Sequence, residues 1–256
     1  MLGICAFATG DILQGHGNAL VAILAAIGLG AGLGLLNGLV VSVGQVPALV
    51  VTLGTLYIIR GLDSMWVGSR EIVASQLPSG FVSFGHDGIG PIPWLFLVAL
   101  ALLIVVGLFL RNYRTGREFY AMGSNPEAAR LAGVPVGRRV VQVYVLCGAF
   151  AGLAGAFYMA RYGNVDSGTG SGFELTVVSA VVVGGVAFTG GSGSVYGAAL
   201  GALLLTTISS ALPSLGVSSV WQNAIVGFLL LVAIAIDRVV ALRVARVLER
   251  RRARHG

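Results

Sequence analysis

From residue 175 to residue 236 the chain runs for 62 residues without a charged side chain. At a rise of about 1.5 Å per residue, a helical chain of that length crosses the roughly 30 Å apolar core of a bilayer three times. Two turn signals predict breaks between helices inside this stretch, at the sequence GGSGS of residues 190–194 and at residues 213–216. The stretch therefore predicts three consecutive membrane segments.

The remainder of the chain repeats this pattern on a smaller scale. Of all residues, 56% are apolar and 10% charged, and the mean hydropathy is +0.91, values that exclude an ordinary soluble domain. We predict an all-α fold, a polytopic transmembrane helical bundle of about eight segments, formed by residues 1–256 as a single domain. The first segment is partial and two are short. The other uncharged stretches are residues 1–10, 19–43, 46–59, 94–110 and 141–160.

Arginine placement predicts the orientation of these segments. All 16 basic residues are arginine; six lie in the loop 111–139 and seven in the tail 237–256. Because basic residues are retained on the cytoplasmic side during insertion, we expect both segments, and both termini, on the cytoplasmic face of a bacterial inner membrane. The opposite face then receives Asp11 and the loops 60–93 and 161–174, which hold six acids and three arginines. The net charge of +6 is thus explained by topology, without a nucleic-acid partner.

The loop of residues 111–140 is too polar to cross a membrane and carries its own helix signals. Asn125 is a favourable N-cap, Pro126 suits the first helical turn, Glu127 complements the positive helix end, and Gly133 favours termination. The pattern predicts a helix of about two turns. A helix this short is not stable alone in water, so it is held by a partner protein, which we favour, or by lipid headgroups beside its arginines.

Two segments resemble one known family. Residues 116–134, GREFYAMGSNPEAARLAGV, resemble the cytoplasmic coupling segment of permeases from the ribose-type branch of ATP-binding-cassette importers, and residues 173–205 resemble a second stretch of the same family. The two motifs occur in the family's order with matching spans between them. The branch includes permeases for other monosaccharides and for a furanose-like signalling molecule. Family members carry further spans upstream of residues 1–10, so the resemblance indicates either an internal methionine at the start or a truncation.

The resemblance implies a transport subunit, not an enzyme. In such permeases the short helix docks into a groove of a separate ATPase subunit and transmits its closure to the membrane domain. The implied partners are ATP-binding-cassette ATPase subunits, a second permease subunit in a homo- or heterodimer, and an extracytoplasmic solute-binding protein that delivers a small sugar of the ribose or rhamnose type. The coupling role carries over to Gly116, Asn125, Pro126, Glu127, Ala128, Ala129 and Gly133.

The chain also contains a glycine-rich segment, residues 184–194, that superficially suggests phosphate binding. It lacks the G-K-[ST] ending of a P-loop, and the sequence contains no lysine. Nucleotide hydrolysis is therefore assigned to another polypeptide, and we predict no cofactor, no catalytic residue and no metal site. A tight turn or a broken helix at membrane depth would use these glycines, either for packing or to line a solute path.

Glycines recur at four-residue spacing in three of the predicted spans. In lipid such spacing places small residues on one helix face and allows close helix approach. We predict tight packing at these faces, with sliding during a transport cycle as the alternative. The sets are Gly30, Gly34 and Gly38, Gly148 and Gly152, and Gly197 and Gly201.

The predicted spans carry no charged residue at their centres. Proton and ion relays need such residues, so the pattern favours a neutral solute driven by external energy. An ATP-independent secondary carrier and a truncated, non-transporting membrane scaffold remain alternatives. Polar residues inside spans are candidates for the solute path, although a helix–helix hydrogen bond explains any one of them equally well. They are Asn37, Thr52, Thr55, Ser179, Thr206, Gln222 and Asn223.

Overall fold

The computed structural model describes residues 1–235, except residues 16, 69, 188, 215, 217–220, 222–223, 226, 230 and 233–234. The described part confirms the all-α prediction. A short 3-10 helix, Ala74–Gln76, and a two-residue hairpin, β1 (Gly88–Ile89) and β2 (Ile92–Pro93), interrupt the helices. The helices are α1 (Leu2–Gln14), α2 (Ala19–Gly44), α3 (Ala48–Val67), α4 (Ser79–His86), α5 (Trp94–Asn112), α6 (Arg114–Ser124), α7 (Pro126–Leu131), α8 (Val136–Tyr162), α9 (Phe173–Val183) and α10 (Val195–Ser214).

Within the described residues, five helices are long and apolar enough to cross a membrane, namely α2, α3, α5, α8 and α10, and the shorter apolar helices are α1 and α9. The predicted break at residues 190–194 is confirmed, because α9 ends at Val183 and α10 begins at Val195. The further span expected over residues 217–236 lies mostly outside the described residues. The basic tail, residues 237–256, lies wholly outside them.

The chain divides into two compact units, and the first consists of residues 1–102 and 129–171. Its centre is the antiparallel pair α2 and α8, which meet at glycine. A Cβ placed on Gly30 would overlap the carbonyl oxygen of Gly148, and one placed on Gly34 would overlap that of Tyr144. A Cβ on Gly38 would lie 2.9 Å from the Cα of Val141. The prediction of close packing through these glycines is confirmed, as expected where van der Waals contact drives helix association in lipid.

Helix α1 also belongs to the first unit and is almost completely covered by α2, α3 and α8. A Cβ on Gly155 of α8 would lie 2.7 Å from the carbonyl oxygen of Leu2, and one on Gly10 would lie 2.9 Å from the Cε of Met159. The start of α1 therefore lies level with Gly155, and its end with the last turn of α8. Beyond that turn, Ile72 and Val165 pair through two backbone hydrogen bonds of 3.2 and 3.1 Å.

The second unit consists of residues 103–128 and 172–256. Here α9 and α10 also approach through small residues. A Cβ on Gly201 would overlap the carbonyl oxygen of Ala180, and Gly184 and Gly197 face each other at the same close range. The predicted packing role of Gly197 and Gly201 is confirmed.

Helix α3 is longer than the uncharged stretch that predicted it. We expected the span to end at Ile59 and the loop to open at Arg60, whereas the helix continues to Val67. Apolar residues at positions 65–67 continue the helix past the first charges, so Arg60 and Asp63 lie on α3. Asp63 is only 6% exposed.

Candidate functional site: the coupling segment

The segment of residues 111–140 contains a second helix that the sequence analysis did not predict. Helix α6 follows α5 after a turn so tight that a Cβ on Gly116 would lie 2.5 Å from the Cα of Leu110. On α6, Arg114 donates from Nε to the Glu118 carboxylate at 2.8 Å. The Glu118 side chain is 8% exposed and that of Arg114 is 81% exposed. The amphipathic pattern of α6 could have revealed it, but it was read as loop because charged residues open it.

Helix α7 is capped at both ends as predicted. The Asn125 side-chain oxygen accepts a hydrogen bond of 3.0 Å from the backbone N–H of Ala128, as an N-cap does. At the other end Gly133 has φ +82°. The N–H of Val134 donates to the Ala129 carbonyl and that of Gly133 to the Arg130 carbonyl, both at 3.0 Å. These two bonds form a Schellman motif, which requires glycine at the left-handed position. Local capping alone therefore defines this six-residue helix.

The surface of α7 is largely uncovered. Glu127, Ala128 and Arg130 are exposed, whereas Ala129 is 5% exposed and is buried by its own chain. Leu131 is 91% exposed, although a leucine side chain loses about 1.5–3 kcal/mol of favourable transfer free energy by staying in water. An exposed leucine beside an acid and a base on a short rigid helix has the composition of a protein-docking tip. The sequence analysis missed Leu131 because an apolar residue in a helix is usually buried.

The C-terminal end of α6 rests against the glycine-rich turn between α9 and α10. A Cβ on Gly123 would lie 2.7 Å from the backbone nitrogen of Gly191, and a Cβ on Gly191 would lie 2.5 Å from the Cα of Ser124. Gly190 and Gly191 have φ of +88° and +76°, a conformation that residues with a Cβ rarely adopt. The two sequence motifs that carried the family resemblance are thus in backbone contact inside the second unit. The glycine-rich segment was predicted either to pack or to line a solute path, and this contact is a packing contact.

Three of the predicted pathway residues form hydrogen bonds within their own helices. The hydroxyls of Thr52, Thr55 and Ser179 donate to carbonyls of their own helices at 2.9, 3.0 and 2.7 Å. Thr206 is exposed on α10. Gln222 and Asn223 lie outside the described residues.

Asn37 differs from the other candidates. It is 4% exposed and lies on the face of α2 that carries Gly34 and Gly38. Among the described residues, none hydrogen-bonds its side-chain oxygen. A buried acceptor without a partner costs about 1–3 kcal/mol, and among the described residues no helix–helix hydrogen bond to this oxygen offsets that cost.

Asp63 is a further buried polar residue that the sequence analysis did not single out. Its Oδ1 has no hydrogen-bond partner among the described residues, and a Cβ on Gly3 would lie 3.0 Å from its Oδ2. It lies one turn from the end of α3, so the helix centre remains uncharged. Apolar residues follow Arg60 and Asp63 at positions 65–67. They were the sequence signal that α3 continues past its first charged residues.

Comparisons with known proteins show the family to which the chain belongs. The sequence model of the family described as branched-chain amino acid transport system, permease component, matches residues 1–234. The autoinducer 2 import system permease protein LsrC of Klebsiella pneumoniae is 38% identical over 92% of this chain and 68% of its own length. The galactose/methyl galactoside import permease protein MglC of Escherichia coli is 33% identical, covering 92% of this chain and 75% of MglC.

A third relative is the ribose import permease protein RbsC of Escherichia coli, 36% identical over 86% of this chain and 69% of RbsC. No solved structure matches the chain. The family resemblance inferred from residues 116–134 and 173–205 is confirmed, and with it the description of the chain as a multi-pass membrane protein. The chain belongs to the family of ATP-binding-cassette importer permeases that is described as the permease component of branched-chain amino acid transport systems.

Proposed function

We propose that the chain is the membrane-spanning subunit of an inner-membrane importer that moves a monosaccharide or a related small polyhydroxylated solute, with ATP hydrolysed on separate subunits. The observation that carries the proposal is α7, a helix capped at both ends that offers exposed Glu127, Ala128 and Leu131. The three relatives are named for the import of autoinducer 2, galactose or methyl galactoside, and ribose, which supports a small oxygen-rich solute.

We infer the coupling role from the caps of α7 and the packing contacts of α6. The contact surface of α7 is formed by Pro126, Glu127, Ala128 and Leu131, while Asn125 and Gly133 fix its ends and Ala129 seats it. Because α6 directly precedes α7 and packs against the 190–191 turn, a displacement of α6 presses on the chain that opens α10. Gly116 lets α6 fold back closely on the end of α5. Closure of an ATPase pair on α7 thereby reaches the membrane helices and exposes the path alternately to each face.

The assembly completes the proposal. A second permease subunit lies beside this one, each permease binds one ATPase subunit on the cytoplasmic face, and an extracytoplasmic solute-binding protein delivers the solute. Loop 111–140 and tail 237–256 face the cytoplasm. The candidate residues for the path are Asn37, Thr52, Thr55, Ser179, Thr206 and Asn223, and of these Asn37 is supported by its unpaired side-chain oxygen.

Reconstitution of the importer in proteoliposomes tests the proposal. The permease is combined with the ATPase and the solute-binding protein of its transport system, and uptake of radiolabelled D-ribose, D-galactose and L-rhamnose is measured with ATP inside the vesicles. We expect uptake of one of these sugars to require both the ATPase and hydrolysable ATP. Equal uptake without ATP would indicate a secondary carrier, and no uptake of any sugar by the complete assembly would contradict the proposed function.

A further inference from the structure

The chain that follows α8 turns back beside its own helix. Residues 163–171, here called the return loop, begin with Gly163 at φ +62°, and Val165 is then held against Ile72 and fully buried. A Cβ on Gly3 would lie 2.5 Å from the Thr169 carbonyl oxygen. Since the start of α1 is level with Gly155, seven residues before the end of α8, the return loop descends about 10 Å along that helix.

This descent places irregular, polar chain at the depth of apolar helices. Non-helical backbone is tolerated at membrane depth only where protein covers it or where it lines a water-filled space. The return loop lines an open cavity of about 580 Å³. We call it the return-loop cavity. Its volume lies in the range of about 300–1,000 Å³ that small-molecule sites occupy.

One wall of the return-loop cavity is aromatic. Tyr158 and Tyr162 stand one turn apart on α8, with ring centroids 4.5 Å apart and planes tilted by 38°, and both line the cavity. A tyrosine ring offers an apolar face and, at its edge, a hydroxyl that both donates and accepts. A monosaccharide ring has the complementary construction, with C–H groups on its faces and hydroxyls around its edge.

The rest of the cavity lining is polar, and part of it is fixed by its own hydrogen bonds. The Oδ1 of Asp166 accepts hydrogen bonds from the Gly168 N–H at 3.0 Å and from the Thr169 hydroxyl at 2.9 Å. Among the described residues, none donates to its other carboxylate oxygen, Oδ2, and the Asn164 side chain likewise has no described partner. Both side chains line the cavity. A carboxylate already fixed by its own loop loses little conformational entropy on binding a ligand.

The charges in the return-loop cavity select the class of ligand. Asp166 is the only ionisable side chain other than the two tyrosines among the described residues that line it. The Asp166 carboxylate only accepts hydrogen bonds, whereas the Asn164 amide and the hydroxyls of Thr169 and Ser171 both donate and accept. Together these groups suit vicinal hydroxyl groups of a ligand, which also donate and accept. An anionic sugar acid would meet the Asp166 carboxylate as a like charge and be rejected.

We propose that the return-loop cavity is a binding site for a neutral, monosaccharide-sized polyol, and that it is the place on this subunit where the solute is held at the extracytoplasmic end of α8. The site itself stands on the cavity and its lining. Its place in the transport sequence rests on the proposed function and on the proposed orientation of the chain.

Site-directed protection in the assembled importer tests the inference. Ser171→Cys is introduced in a Cys147→Ser background, and the rate of labelling by a membrane-impermeant maleimide is measured from the extracytoplasmic side with D-ribose, D-galactose, L-rhamnose or D-gluconate present and the solute-binding protein absent. We expect at least one of the neutral sugars to slow labelling at least threefold in a saturable way, and gluconate to have no effect.

Two variants and one control complete the experiment. Tyr162→Ala and Asp166→Asn, combined with Ser171→Cys, should each raise the sugar concentration for half-maximal protection at least tenfold. Tyr57→Ala, which removes a tyrosine that is 72% exposed on α3, should leave it unchanged. Absence of protection by every neutral sugar, or equal protection in all variants, would overturn the inference. If ATP-driven uptake by the wild-type importer persists in that case, the proposed function stands and the cavity assignment alone fails.

Discussion

At the scale of single residues, Asn125 has the clearest task. Its side chain satisfies a backbone donor of α7, and a six-residue helix is too short to be stable without such caps. We expect Asn125→Ala to destabilise α7 by about 0.5–2 kcal/mol and to weaken the affinity of the purified permease for its ATPase several-fold. Asn125→Ser should retain most of that affinity, because serine caps comparably. Equal affinities for all three proteins would contradict the coupling role of α7.

Asn37 allows a residue-scale prediction about the path. Because its buried side-chain oxygen has no described partner, replacing it removes an unfavourable desolvation instead of a bond. We expect Asn37→Ala to leave the thermal unfolding midpoint unchanged or higher and to slow ATP-driven sugar uptake markedly. The control is Thr207→Val, since the Thr207 hydroxyl is satisfied by the Leu203 carbonyl at 2.7 Å. A lower midpoint with normal uptake would identify Asn37 as a structural residue.

At the scale of elements, α2 carries some glycines that contact α8 and others that do not. A Cβ on Gly34 would overlap the Tyr144 carbonyl oxygen, whereas a Cβ on Gly32 would meet nothing within 4 Å. We expect Gly34→Val to lower the free energy of unfolding by about 1–3 kcal/mol through overpacking. Gly32→Val should have little effect, because valine is no worse than glycine in a helix. Unfolding of the two variants in detergent, followed by circular dichroism, measures the difference, and equal losses would disprove the contact.

An element could be predicted from the sequence when the residues that determine it are close together in the chain. Helix α7 was predicted because its caps are local, from Asn125 to Gly133. The glycine faces of α2 and α8 were predicted because four-residue spacing defines a helix face wherever the partner is. The descent of the return loop could not be predicted, because contacts of distant segments, such as Gly3 with Thr169, determine it. The extension of α3 to Val67 was missed because the charges of Arg60 and Asp63 resemble the start of a loop. Helix α6 was missed because its charges resemble those of a loop.

At the scale of the whole molecule, the chain is a member of the permease-component family in which each of the two units brings distant polar segments together. The contact of Gly123 with Gly191 places the glycine-rich turn beside α6. The pairing of Ile72 with Val165 gathers the loops 68–78 and 163–171 at one end of the first unit. We propose that α7 receives the energy supplied by the ATPase and that the return-loop cavity receives the solute.

The central claim is that α7 faces the cytoplasm and is gripped by an ATPase. It is tested most directly by Leu131→Cys in a Cys147→Ser background, because Leu131 is 91% exposed at the tip of α7. We predict that an impermeant maleimide labels this cysteine in inside-out vesicles and not in intact cells, and that the ATPase protects it and forms a crosslink to it. Labelling from the cell exterior, or unchanged labelling and no crosslink when the ATPase is bound, would contradict the account.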